Sequence, residues 1–105
     1  MCGLVAVCAY NPVAPEIDRR EVRAIRDHMA ARGPDGIGEW FSPDGRTGMG
    51  HRRLSIIDLS EAASQPMMNE DGSIHLVFNG EIYNYRALTE RLIEKGHRFR
   101  SHSDS

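Results

Sequence analysis

Residues 2–9 alternate small and branched apolar side chains and carry no charge, a pattern that predicts a short strand buried on both faces. Asn11-Pro12 ends it and Pro15 lies in the turn that follows. Asp18, with Glu21 three residues on, has the form of a capping box, and Ile17 and Val22 are placed to close a hydrophobic staple. The helix predicted next carries Val22, Ile25 and Met29 on one stripe and stops at Gly33-Pro34.

The middle of the chain reads as β structure. IGEWFS and RTGMGH flank the turn Ser42-Pro43-Asp44-Gly45, and RRLSIIDLS reads as a further strand. Beyond Gln65-Pro66, PMMN and SIHLVF are joined by the turn Asn69-Glu70-Asp71-Gly72, which predicts a hairpin. Asn84 is placed as the N-cap of a second helix whose inner face is Leu88, Leu92 and Ile93 and whose stop is Gly96. HRFRSHS then reads as an edge-like strand at the end of the chain, without a partner, which is the pattern of a truncated domain. There is no repeat and no linker composition, so residues 1–105 form one α+β unit.

Charge narrows the class of partner. Thirteen Lys and Arg are interspersed with 15 Asp and Glu, which argues against a nucleic-acid surface and leaves small molecules and proteins. The apolar start is too short to span a bilayer and has no signal-peptide features, so a cytoplasmic, non-membrane protein is expected. Cys2 and Cys8 are the only cysteines. On one strand they stand about 20 Å apart, whereas bridged Cα atoms lie within roughly 7 Å. Both thiols are therefore free. The five histidines show no zinc-type spacing and no phosphate loop is present, so neither a metal nor a nucleotide site is predicted here.

A cysteine directly behind the initiator Met has a particular chemistry. Removal of Met1 places a thiol and an α-amine on one residue, and an amine of pKa near ~7.7–8.0 can act as base for its own nucleophile. Taken singly, Cys2 also reads as a small buried hydrophobe, and Asn79-Gly80 between strand-like runs is also a hairpin signal. Arg53 beside Arg52 also reads as a charged edge.

Several separated pieces nonetheless occur together: Met1-Cys2-Gly3, Arg32-Gly33-Pro34-Asp35, His51 to Asp58 with Gln65-Pro66, Asn79-Gly80-Glu81-Ile82-Tyr83-Asn84, and Ser103-Asp104. In that order and spacing the chain resembles the class II, N-terminal-nucleophile glutamine amidotransferases, most closely the glutaminase half of glutamine-hydrolysing asparagine synthetases. Ala31 departs from the family pattern, which has a histidine there. The resemblance implies about the first half of an αββα sandwich that hydrolyses L-glutamine to glutamate and ammonia. Cys2 would be the attacking thiol, and Asn79 and Gly80 the oxyanion hole. Arg53 would hold the substrate carboxylate, the backbone through Ile56 would line the pocket, and Glu81 and Asp104 would receive the α-ammonium group. No cofactor is implied for this part. ATP and Mg are implied for a synthetase domain that would take the ammonia, and the full-length protein would be able to form a homodimer. The alternatives are a non-catalytic truncated remnant and an amidotransferase with another ammonia acceptor.

Overall fold

The computed structural model describes residues 1–56 and 60–105. Its elements are β1 (Gly3–Cys8), α1 (Arg19–His28), β2 (Gly36–Phe41), β3 (Thr47–Arg53), a 3-10 turn at Glu61–Ala63, β4 (Met67–Met68), β5 (His75–Leu76) and α2 (Tyr85–Glu94). Strands β1, β3 and β2 form an antiparallel sheet in that order, and β4 and β5 form a separate antiparallel pair. The architecture is α+β, as the sequence predicts.

The β2–β3 hairpin forms where the turn residues place it. Gly45 takes φ +68°, a conformation that a side chain disfavours. The Ser42 hydroxyl accepts from the amides of Arg46 and Thr47 at 3.1 and 2.9 Å and donates to Asp44. Strand β3 then runs unbroken to Arg53, and the separate strand expected over RRLSIIDLS is not seen among the described residues. Its first two residues close β3, Leu54 to Ile56 lie outside any strand, and residues 57–59 lie outside the described residues.

Helix α1 begins as expected, with the Asp18 carboxylate accepting from the Arg20 amide at 2.9 Å. Its inner stripe differs from the prediction. Val22 is 1 % exposed and Arg26 is buried, whereas Ile25 is 42 % exposed. The stem of Arg26 lies over Gly50, and its guanidinium reaches Asp27 and Glu39, each at 2.8 Å. An arginine can thus fill a core position with its methylenes while its head stays paired. Burial of β1 on both faces is also overturned. As an edge strand it packs Gly3, Val5 and Val7 towards α1 and leaves Leu4, Ala6 and Cys8 exposed.

The β4–β5 hairpin is present, two residues to a strand, with Met67 opposite Leu76. Stacking of the Trp40 and His75 rings at 3.9 Å joins it to the main sheet. Helix α2 starts after Asn84, although that side chain makes no capping bond, and stops at Gly96 with φ +94°. Leu88, Leu92 and Ile93 are exposed and do not form an inner face. The strand expected over HRFRSHS is absent. The Arg98 amide donates to the Glu70 carboxylate at 3.2 Å and the His97 ring bonds the same oxygen at 3.0 Å, so polar groups here are satisfied by a side chain and not by a ladder.

Candidate active site

Alternation along β3 decides what faces the site. Gly3 pairs with Arg52, and the face holding Gly3, Val5, Gly50 and Arg52 meets α1, where Arg52 binds Asp27 at 3.1 Å. The next residues along each strand point the other way. Cys2 and Arg53 therefore share the opposite face, at one end of the sheet, and both line a cavity of about 510 Å³. The cysteine that β1 presents there is half-buried. The Leu54 amide donates to its sulfur at 3.2 Å, and the thiol donates to the Leu54 carbonyl at 3.7 Å. Arg32 donates to the Cys2 carbonyl at 3.4 Å.

The Arg32-Gly33-Pro34-Asp35 segment clamps the end of β3. Gly33 lies so close to the Arg52–Arg53 backbone that no Cβ fits there. The Asp35 amide donates to the Arg53 carbonyl at 2.9 Å, and the Asp35 carboxylate accepts from the Ser55 amide at 2.8 Å. The loop after β3, with Ile56 on the cavity wall, is thereby fixed from outside. Arg53 itself donates to the Ser60 carbonyl at 2.6 Å.

Across the cavity, Asn79 and Gly80 lie in the connection from β5 to α2 and not in a hairpin turn, which closes the hairpin reading. Glu81 and Asp104 line the same cavity. The Asp104 carboxylate accepts from the Ile82 amide at 2.8 Å, which ties the end of the chain to the Asn79–Asn84 segment. Every residue singled out from the sequence for this site, Cys2, Arg53, Ile56, Asn79, Gly80, Glu81 and Asp104, is brought to one cavity.

Two buried polar side chains were not singled out as site residues: Gln65, which lines the cavity, and His51, which does not. His51 is 1 % exposed and Gln65 is 8 % exposed. Burial pushes the His51 ring below its ordinary pKa; a hydrogen bond with the Phe78 backbone opposes the shift, and the nearby Arg53 charge adds to it. The available signal was Gln65-Pro66 and His51 inside the recurring segments, but their direction into the interior depends on tertiary placement. Among the described residues no group of His, Cys, Asp or Glu is arranged to hold a metal ion, and no helix is long and apolar enough to cross a membrane.

The family model described as glutamine amidotransferase domain matches residues 1–105. The chain belongs to that family. It is 42 % identical over 106 residues to asparagine synthetase [glutamine-hydrolyzing] 1 of Bacillus subtilis, covering 100 % of this chain and 16 % of the relative. It is 39 % identical over 105 residues to a probable asparagine synthetase [glutamine-hydrolyzing] of Dictyostelium discoideum, covering 99 % and 18 %. It is 40 % identical over 103 residues to the amidase chry2 of Gibberella zeae, covering 90 % and 15 %. The chain thus spans less than a fifth of each of these relatives.

For an amidotransferase domain, the two adjacent arginines make opposite predictions. Arg53 faces the cavity, and a guanidinium holds a carboxylate through two parallel bonds that a lysine cannot reproduce. In the full-length protein Arg53→Lys is expected to weaken glutamine use by about 1.5–3 kcal/mol, read as kcat/KM. Arg52→Lys, on the α1 face, is expected to leave glutamine kinetics unchanged. A glutamine defect in Arg52→Lys with none in Arg53→Lys would show that the other arginine serves the site.

Proposed function

We propose that this chain supplies the nucleophile and the glutamine-binding wall of a class II glutaminase within a glutamine-hydrolysing asparagine synthetase. The observation that carries this reading is the single cavity that holds the Cys2 sulfur, one arginine, two carboxylates and the Asn79-Gly80 amides. A zwitterionic amino acid needs one fixed cation and one or two anions, and Arg53 with Glu81 and Asp104 meets that need. The finer fold reading, an αββα N-terminal-nucleophile sandwich, draws support from a sheet that carries α1 on one face and the Gln65 segment on the other.

The reaction runs in two balanced halves. The Cys2 thiol passes its proton to its own α-amine as sulfur bonds to the side-chain amide carbon, and the carbonyl electron pair moves onto oxygen. The Asn79 side chain and the Gly80 amide hold that oxyanion. When it collapses, the carbon–nitrogen bond breaks and the leaving nitrogen takes the proton from the α-amine, departing as ammonia. Water then adds to the thioester, with the amine as base. The carbon–sulfur bond breaks, glutamate leaves and the thiol is restored.

Ammonia would pass to an ATP- and Mg-dependent synthetase domain of the full-length protein, and a reducing cytoplasm suits two free thiols. A second reading, an amide-hydrolysing or amidotransferase protein with another acceptor, is favoured by the relative named an amidase.

Processing of the N-terminus tests the mechanism. Met1 lines the cavity and carries the chain's first amine, so the base exists on Cys2 only after Met1 is lost. Intact mass of an active preparation is expected to lack Met1, and iodoacetamide is expected to label Cys2 before Cys8. Full retention of Met1 in protein that releases glutamate from glutamine would overturn the proposed base.

A further inference from the structure

Phe78 directly precedes Asn79, and it is held at its backbone while its ring meets the next glycine. The buried Gln65 side chain accepts from the Phe78 amide on Oε1. The Phe78 ring lies against Gly80 so closely that a Cβ there would meet it.

A peptide group is planar, so fixing one of its atoms orients the whole unit. The Gln65 bond fixes the plane entering Phe78, and the packing of the Phe78 ring on Gly80 ties that fixed residue to the Asn79-Gly80 segment that follows it. Gln65 is itself immobilised. Its carbonyl lies against Gly38 of β2 so closely that no Cβ fits there, and Gly38 pairs across the sheet with His51.

We propose that Gln65 is a positioning residue that grips the Phe78 backbone and so aims the Asn79 and Gly80 donors at the position of the oxyanion. The inference rests on the reading of Asn79 and Gly80 as the oxyanion hole. Gln65 acts through Phe78, the residue whose amide it holds. A donor misaimed by a fraction of an ångström stabilises the transition state less while the ground state is bound as before.

The test uses the full-length protein. Gln65→Met keeps the length of the side chain and removes the strong acceptor. It is expected to lower kcat for glutamine hydrolysis by about tenfold or more with KM nearly constant. The rate of Cys2 alkylation by iodoacetamide, a displacement that develops no oxyanion, is expected to stay at the parent value. Phe78→Leu, which takes the ring away from Gly80, should likewise lower kcat with KM nearly constant. Parent-like kcat in Gln65→Met overturns the proposal. So does a loss of kcat, glutamine binding and alkylation together in Gln65→Met, because that is general loss of structure. Retention of glutamine hydrolysis by Cys2→Ala would instead sink the reading of the site itself, so the two failures are distinguishable.

Discussion

Cys2→Ala in the full-length protein is expected to abolish glutamine hydrolysis while synthesis from added ammonia continues. The alanine removes only a sulfur atom from a half-buried position, so packing changes little. What is lost is the atom proposed to form the thioester, and no other thiol lines the cavity. Cys8, the other thiol, lies at the far end of β1, opposite Thr47. Without the covalent route the barrier returns towards that of uncatalysed amide hydrolysis, a difference of at least ~8 kcal/mol. Glutamine binding should persist, since the proposed contacts of Arg53, Glu81 and Asp104 do not involve sulfur. The measurements are glutamate release, ammonia-driven synthesis and glutamine binding in one preparation. Glutamate release at the parent rate would remove Cys2 from the mechanism. Loss of ammonia-driven synthesis as well would mean that the change acts on the whole protein and not on its glutaminase site.

What the sequence reveals depends on how local the physics is. The cap of α1 is a bond between Asp18 and a backbone amide two residues away, and the turn at Gly45 needs only its own φ, so both were legible. The choice between Ile25 and Arg26 was not. Periodicity places an isoleucine on the inner stripe, but the long stem of Arg26 over Gly50 and its ion pair with Glu39 depend on strands distant in sequence. The same holds for HRFRSHS, where a strand-like composition loses to the Glu70 carboxylate, which takes the Arg98 amide from 28 positions away. Alternation did transfer from sequence to structure at Arg52 and Arg53, because a strand's period of two is independent of its neighbours. Gln65 and His51 had no local signature. Each is a polar residue whose burial follows from Gly38 admitting a backbone at that point of the sheet.

Asn79→Ala is expected to lower kcat for glutamine by about 10²–10³-fold, or about 2.7–4 kcal/mol, the cost of one lost oxyanion donor. Asn79 precedes Gly80 in the connection between β5 and α2 and lines the cavity that holds Cys2. A side-chain amide beside a backbone amide can present two donors to one oxygen, and the glycine lets that oxygen approach closely. KM should change much less, because the neutral amide of bound glutamine asks little of a donor that the oxyanion needs. The exposed position of Asn79 makes the comparison clean. No buried group is uncovered by truncating it, so a large effect on rate cannot be attributed to unfolding. Asn79→Asp sharpens the contrast, since it keeps the shape and replaces a donor by a negative charge that repels the developing oxyanion. Its kcat should fall at least as far as that of Asn79→Ala, while Cys2 alkylation by iodoacetamide proceeds in both variants. If Asn79→Ala hydrolyses glutamine within about threefold of the parent, the free-energy difference is below ~1 kcal/mol and Asn79 does not hold the oxyanion.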